Sequence, residues 1–303
     1  MSSWLPTNPS SRRWLGLAPT YLVIGIFMLF PMIIMGTYSF MEANPYGGVK
    51  PVFSTAAYIQ LAWEYDLDNT LIFNPGYLKI IWRSIELSVM ATVICLIFGF
   101  PVAYYITLQP ENRRNFYIYL ITIPFWTNLL IRTFAWIIIL GRNGVIELPL
   151  LSLGIIEKSL GMMYSDGAIA IGLTYSYLPL MVLPIYASLE KLDFRLLEAA
   201  SDLYASRLAI MTKIVIPLSK PGIIAGCILV FIPCLGAFIA PNLLGGGKKL
   251  MLGSLVQFQF ASARNWPFGS ALSMLMLAVV VIVLILYARG AKKSAAGEKA
   301  TES

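Results

Sequence analysis

The sequence has no histidine and only three cysteines, and charged residues make up just 12% of it. The lack of histidine removes the commonest general base and the commonest metal ligand. With no clustered carboxylates to replace it, no catalytic constellation can be assembled, which argues against a membrane enzyme. Cys95, Cys227 and Cys234 all fall in apolar stretches. Cys227 and Cys234 would sit roughly 10 Å apart along one helix, too far to bridge, so the thiols read as small packing residues. Soluble domains carry roughly a quarter charged residues. The shortage here, with 58% hydrophobic residues and a mean hydropathy of +0.75, excludes that class and makes the chain an integral membrane protein.

Apolar runs at 17–40, 78–107, 116–140, 167–190, 222–241 and 267–289 predict an all-α protein of six transmembrane helices, each crossing needing roughly 20 residues. Residues 1–16 form an N-terminal segment, 17–289 the membrane domain and 290–303 a disordered basic tail suited to anionic headgroups. The first run exceeds a signal-peptide core and lacks a small-residue cleavage site, so it reads as an anchored helix. Thirteen Lys and Arg fall on the side of the termini and eight on the other, with Arg132 inside a span. The positive-inside rule then places both termini, and the loop 191–221, in the cytoplasm. The net charge of +7 forms no continuous patch with interleaved aromatics, so membrane lipid, not nucleic acid, is the partner it implies. The outer loop 41–77, rich in Gly and Pro turns, is expected to fold as a flap with a short helix near 54–63. Pro31, Pro101, Pro124, Pro179, Pro184 and Pro233 interrupt spans and predict kinks.

The cytoplasmic loop carries the clearest local signal. Asp193 is a good N-cap, and Leu196, Leu197, Ala200, Leu203 and Tyr204 follow at helical spacing as one apolar stripe. Such a helix could simply lie along its own bundle. However, Ala199-Ala200 keeps it thin enough to enter a groove, and Glu198 with Asp202 offers two acids on one side. A second short helix is expected from Ser206 to Ile216, stopped by Pro217 and Pro221.

Glu198, Ala199, Ala200, Ile214 and Pro217 stand at the spacing of the EAA motif, so the loop resembles that of bacterial ABC importer permeases; Ile216 replaces a leucine and Tyr204 stands where the motif has glycine. A ring there cannot copy glycine's backbone freedom, so a different turn is expected. Ile123 to Asn128 with Arg132, Lys220 to Gly226, Leu244-Gly245-Gly246 and Asn265 to Gly269 extend the likeness over roughly 80–290, and are similar to the B-type permease subunit of spermidine/putrescine importers. The resemblance implies a type I importer fold, a homologous second permease, a cytoplasmic ATPase homodimer, a periplasmic substrate-binding protein and a polyamine substrate. It also implies that Glu198, Ala199, Ala200, Asp202, Leu203, Tyr204 and Pro217 couple to the ATPase, with ATP and magnesium held by that partner and no cofactor here.

Within the spans, Glu86 and Arg132 lie at matched depth, roughly 12 Å in at 1.5 Å per residue. Unpaired charges there are costly, so they are expected to pair with each other or with the second permease. A polycation's route should offer aromatic faces and carboxylates. Trp126, Asn128, Tyr175 and Tyr177 are candidate path residues, each of which could equally be packing or lipid-facing, and Glu64, Asp66 and Asp68 are candidates for an outer vestibule. The competing functions are an importer of another small solute, such as an amino-acid derivative, a metal complex or an anion, and an ion-coupled carrier. Among the span acids only Glu86 could serve that carrier.

Overall fold

The computed structural model describes residues 9–65, 70–156, 158–193 and 195–301. Helix α1 is a continuous rod made of Pro9–Ile24, a π-helical turn Gly25–Leu29 and Phe30–Ser39. After it come β1 (Met41–Ala43), β2 (Val49–Phe53), α2 (Ala56–Ile59), β3 (Trp63–Tyr65) and β4 (Leu71–Phe73). Then follow α3 (Gly76–Thr107), α4 (Glu111–Trp126), α5 (Leu129–Leu140), α6 (Glu147–Ser152), α7 (Asp166–Leu189) and α8 (Arg195–Asp202). Helix α9 joins Arg207–Ile210, a second π-helical turn Met211–Val215 and Ile216–Leu235. The remaining helices are α10 (Ile239–Leu244), α11 (Leu252–Ala261) and α12 (Trp266–Thr301). Among the described residues five helices are long and apolar enough to cross a membrane, or six if α4 and α5, bent by 90°, count as one span.

The chain divides into two units, residues 1–75 with 258–275, and residues 76–257 with 276–303. In the first, the 41–75 loop carries the short helix expected near 54–63, together with strands that its sequence reading did not include. It holds two antiparallel hairpins, β1 with β2 and β3 with β4, and only the single turn α2. Gly47 and Gly48, at φ 97° and 88°, close the first hairpin; only glycine takes such angles without strain. Ring pairs fasten both: Phe40 stacks on Phe53 at 5.9 Å, and Trp63 meets Phe73 edge-on at 5.6 Å. β-propensity of these aromatic and branched residues, invisible to a search for apolar spans, decided the outcome.

In the second unit α7 packs against both α3 and α9, which also touch each other. One face of α3 (Ser84, Leu87, Ser88, Ala91, Cys95 and Gly99) is buried, and Cys95 donates its thiol to the Thr174 carbonyl of α7. In lipid there is no hydrophobic gain in bringing helices together, so close approach must supply the association. Glycine supplies it here. A Cβ on Gly222 would lie 2.5 Å from both the Pro184 carbonyl and Ser188 Cβ, and one on Gly226 would lie 2.8 Å from Met181 Sδ.

Two expectations about helix ends fail. Pro217 does not stop α9: the Ile216 N–H reaches back to the Met211 carbonyl, five residues away, and the proline follows with no donor left to satisfy. The same device, a π turn, one residue and a proline, carries α1 through Pro31. The tail expected to be disordered from 290 is helical as far as Thr301, in keeping with its Ala, Lys and Glu content.

Candidate coupling elbow and translocation path

The elbow runs from Asp193 to Val215. Asp193 caps it as expected, its carboxylate accepting the Arg195 N–H at 3.0 Å. At the other end of α8 the Ala205 N–H bonds the Ala200 carbonyl and the Tyr204 N–H bonds the Ser201 carbonyl. That pair is a Schellman closure, whose penultimate residue takes a left-handed backbone. Tyr204 occupies that position with φ 58°. The hydrogen bonds hold Tyr204 in a conformation that glycine takes freely, and the tyrosine bears the strain. Ser206 then caps α9 by accepting the Ala209 N–H at 3.2 Å.

The apolar stripe of α8 is divided. Leu197 and Ala200 are half-buried, and Leu197 packs on the core of α3, α7 and α9. Leu203 is 82% exposed, Tyr204 98% and Leu208 74%. Reversal of the chain at Tyr204 takes its ring off the helix face that the sequence spacing assigns to it. Glu198, Ala199 and Asp202 are also exposed, so acids and apolar groups stand together on an open surface. Pro217 lies in the first turn after the π segment, within the rod that continues from the elbow.

The third apolar run, expected as one helix over 116–140, is broken. Pro124 removes a donor near the end of α4, the Thr127 hydroxyl bonds the Pro124 carbonyl at 2.7 Å, and Thr127 and Asn128 are extended. The Asn128 side chain restarts the helix by accepting the Leu130 N–H at 2.8 Å, so this candidate path residue is a cap. Trp126, at the corner, is 86% exposed. Tyr175 and Tyr177, two apart on α7, face different ways: Tyr175 meets Trp136 edge-on at 5.6 Å, while Tyr177 lines a cavity of about 100 Å³ with Leu129, Ser176 and Phe238.

Glu86 and Arg132 are not paired with each other. Glu86 lies opposite the Ser84, Ser88 and Ala91 face of α3 and is exposed. Arg132 points its guanidinium toward the Phe125 ring, 6.0 Å from the centroid, with Nε and Nη1 buried and unbonded among the described residues. The ion pairs among described residues belong instead to Asp166, which accepts Lys249 Nζ at 2.9 Å and lies 3.8 Å from Arg83 Nε. Asp166 stands in the first turn of α7, where the helix dipole also favours an anion. Glu64 is tied to its own hairpin by the Asn74 amide at 2.7 Å. Asp66 and Asp68 lie outside the described residues.

Glu147 was missed by sequence reasoning. Its buried carboxylate accepts the Asn143 and Leu160 N–H groups, each at 2.8 Å, and so staples both ends of the 141–165 loop. The Ser159 hydroxyl and then the Asn143 amide hold its carboxyl below the usual range. The staple borders a cavity of about 470 Å³ lined by Arg142, Met162, Met163 and Tyr164. Asn143, at φ 57°, takes the left-handed angle that lets the chain turn back onto the carboxylate. No pattern of spacing announces a contact between residues thirteen apart in a loop.

Residues 89–293, which contain the elbow, the break and α7 to α9, match the family model described as binding-protein-dependent transport system inner membrane component. The chain belongs to that family. It is thus a multi-pass inner-membrane permease component. It is 40% identical over 273 residues to the spermidine/putrescine transport system permease protein PotB of Escherichia coli (strain K12), covering 90% of this chain and 94% of that one. It is 30% identical to the inner membrane ABC transporter permease protein YdcU of the same organism, over 72% and 73% of the two chains. In fold, this permease is similar to a chain of the bacterial alginate ABC transporter (TM-score 0.69, 16% identity, 91% and 93% covered) and to one of the MetNI methionine ABC transporter (TM-score 0.52, 16% identity, 71% and 94% covered).

Proposed function

We propose that this permease is one of two homologous membrane subunits of an ATP-driven polyamine importer, with its termini and the Asp193–Val215 elbow in the cytoplasm. A cytoplasmic ATPase homodimer takes hold of the elbow through Glu198, Ala199, Ala200, Asp202, Leu203 and Tyr204, and a periplasmic binding protein delivers the substrate. ATP and magnesium belong to the ATPase; this subunit contributes no catalysis and forms half of the path.

The observation that carries the reading is the elbow itself. A helix capped at both ends, presenting two acids beside exposed Leu203 and Tyr204, is a rigid surface for a soluble partner. Spermidine and putrescine as substrates are supported by the 40% identity to PotB over nine-tenths of the chain. Trp126, Tyr175 and Tyr177 offer aromatic faces to a cation along the path, and Arg132, whose Nε and Nη1 have no acceptor among the described residues, is suited to a carbonyl or carboxylate of the second permease.

The test is uptake by the full assembly in proteoliposomes, with the binding protein titrated against polyamines, amino acids and anions by calorimetry. Polyamine uptake is expected to require ATP, and Glu198→Arg to abolish it while the subunit remains inserted. Uptake without ATP, or normal uptake by Glu198→Arg, overturns the proposal.

A further inference from the structure

Where Gly222 brings α9 against α7, the two helices and the start of the elbow also border a cavity of about 730 Å³, inside the range of about 300–1,000 Å³ usual for ligand sites. Pro184 and Ala225 line its deep end within the spans, and Ser188, Lys191 and Asp193 follow toward the elbow. A fixed ring and a single methyl group reach too short a distance to fill the space, so it stays open. Leu196 of α8 forms one more wall. Leu218 and Pro221, which line it from α9, are exposed, so the cavity opens on the outside of the bundle. The bilayer core offers hydrocarbon, not water, to an apolar opening of this kind.

The charges at its mouth are unequally engaged. The Asp193 carboxylate already accepts the Arg195 N–H at 3.0 Å, and Glu190 Oε1 accepts the Tyr186 hydroxyl at 2.8 Å. Lys191 is exposed and forms no ion pair among the described residues. Lys220, next to Pro221, is in the same condition. A lysine two residues past the end of a membrane helix can lay its stem along apolar surface and hold its ammonium at the headgroup level. The open charge is therefore positive and the open wall is hydrocarbon. Of the molecules around a membrane protein, an anionic phospholipid carries the complement of both.

We infer that this cavity binds an anionic phospholipid, its phosphate on Lys191 and one acyl chain along Pro184, Pro221 and Ala225. Because Leu196 is a wall, the lipid also braces the root of the elbow. The experiment places photoactivatable phosphatidylglycerol, with its reactive group on the acyl chain, in phosphatidylcholine nanodiscs holding the assembled transporter, and maps the labelled peptides of this chain. Wild type is expected to be labelled in segments 184–196 and 218–225, with unlabelled phosphatidylglycerol competing. Lys191→Gln should lower that labelling about five-fold, the worth of one lysine at an anionic surface. Ala225→Leu, which narrows the deep end, should lower it with the charge intact. Arg289→Gln, at an exposed cation of α12 outside the cavity, should leave it unchanged. Labelling that is the same in Lys191→Gln or Ala225→Leu, or that falls as far in Arg289→Gln, overturns the site. So does competition by phosphatidylcholine or by inorganic phosphate, or a wild type unlabelled in both segments because the second permease covers them. Labelling needs no ATP, so its failure leaves the importer reading standing, and absence of ATP-dependent uptake leaves the lipid site standing.

Discussion

The elbow and the α3–α7–α9 core solve opposite problems. The elbow is specified locally: each end is fixed by side-chain or backbone hydrogen bonds within four or five residues, leaving Leu203 and Tyr204 free on the surface. The core is specified by distance. Gly222 and Gly226 of α9 let its backbone come against Pro184 and Met181 of α7, and almost nothing polar is needed. A locally written element can be offered to a partner without loosening, whereas one defined by contact across helices must stay buried.

The contrast can be broken most forcefully in the core. Gly222→Leu forces a side chain into the Pro184 carbonyl, an overpacking expected to cost about 1–3 kcal/mol or more and to be seen as lost thermal stability in detergent. At the elbow the sign reverses. Tyr204→Gly relieves a left-handed residue and should stabilise by about 1 kcal/mol, while removing a ring from the partner surface. Higher stability with weaker ATPase binding is the expected pair, measured by melting and by co-purification. Asp166→Asn leaves Lys249 and Arg83 without their anion; because these side chains are 30–45% exposed, the loss should stay near about 0.5 kcal/mol. The Glu147 staple has the most local effect. Its folded carboxyl titrates below the ordinary value, so its contribution is present above about pH 4.3 and is lost as pH falls further. Hydrogen exchange should show the Leu160 amide protected at pH 6 and released in acid, with the core helices unchanged.

Much of this was legible in the sequence for a physical reason. Apolar length and capping chemistry are properties of neighbouring residues, so five of the six spans and the first elbow helix could be read from Asp193, Glu198 and the long apolar runs. What failed involved geometry that short windows do not encode. The break at Thr127 depends on a hydroxyl returning to the Pro124 carbonyl. The passage of α9 through Pro217 depends on one wider turn upstream. Residue counting placed Glu86 and Arg132 at one depth but could not tell that Glu86 looks away, and neither Asp166 with Lys249, 83 residues apart, nor the β hairpins left a trace that helical periodicity could detect.

That wider turn before Pro217 has a mechanical meaning. Because the proline does not interrupt the rod, Arg207 to Leu235 is a single beam of 29 residues, about 43 Å long at the α-helical rise. A beam of that length converts angle into travel: a tilt of about 5° at the elbow carries its far tip about 4 Å. Had the chain hinged at the proline, the same tilt would have been absorbed at the membrane surface.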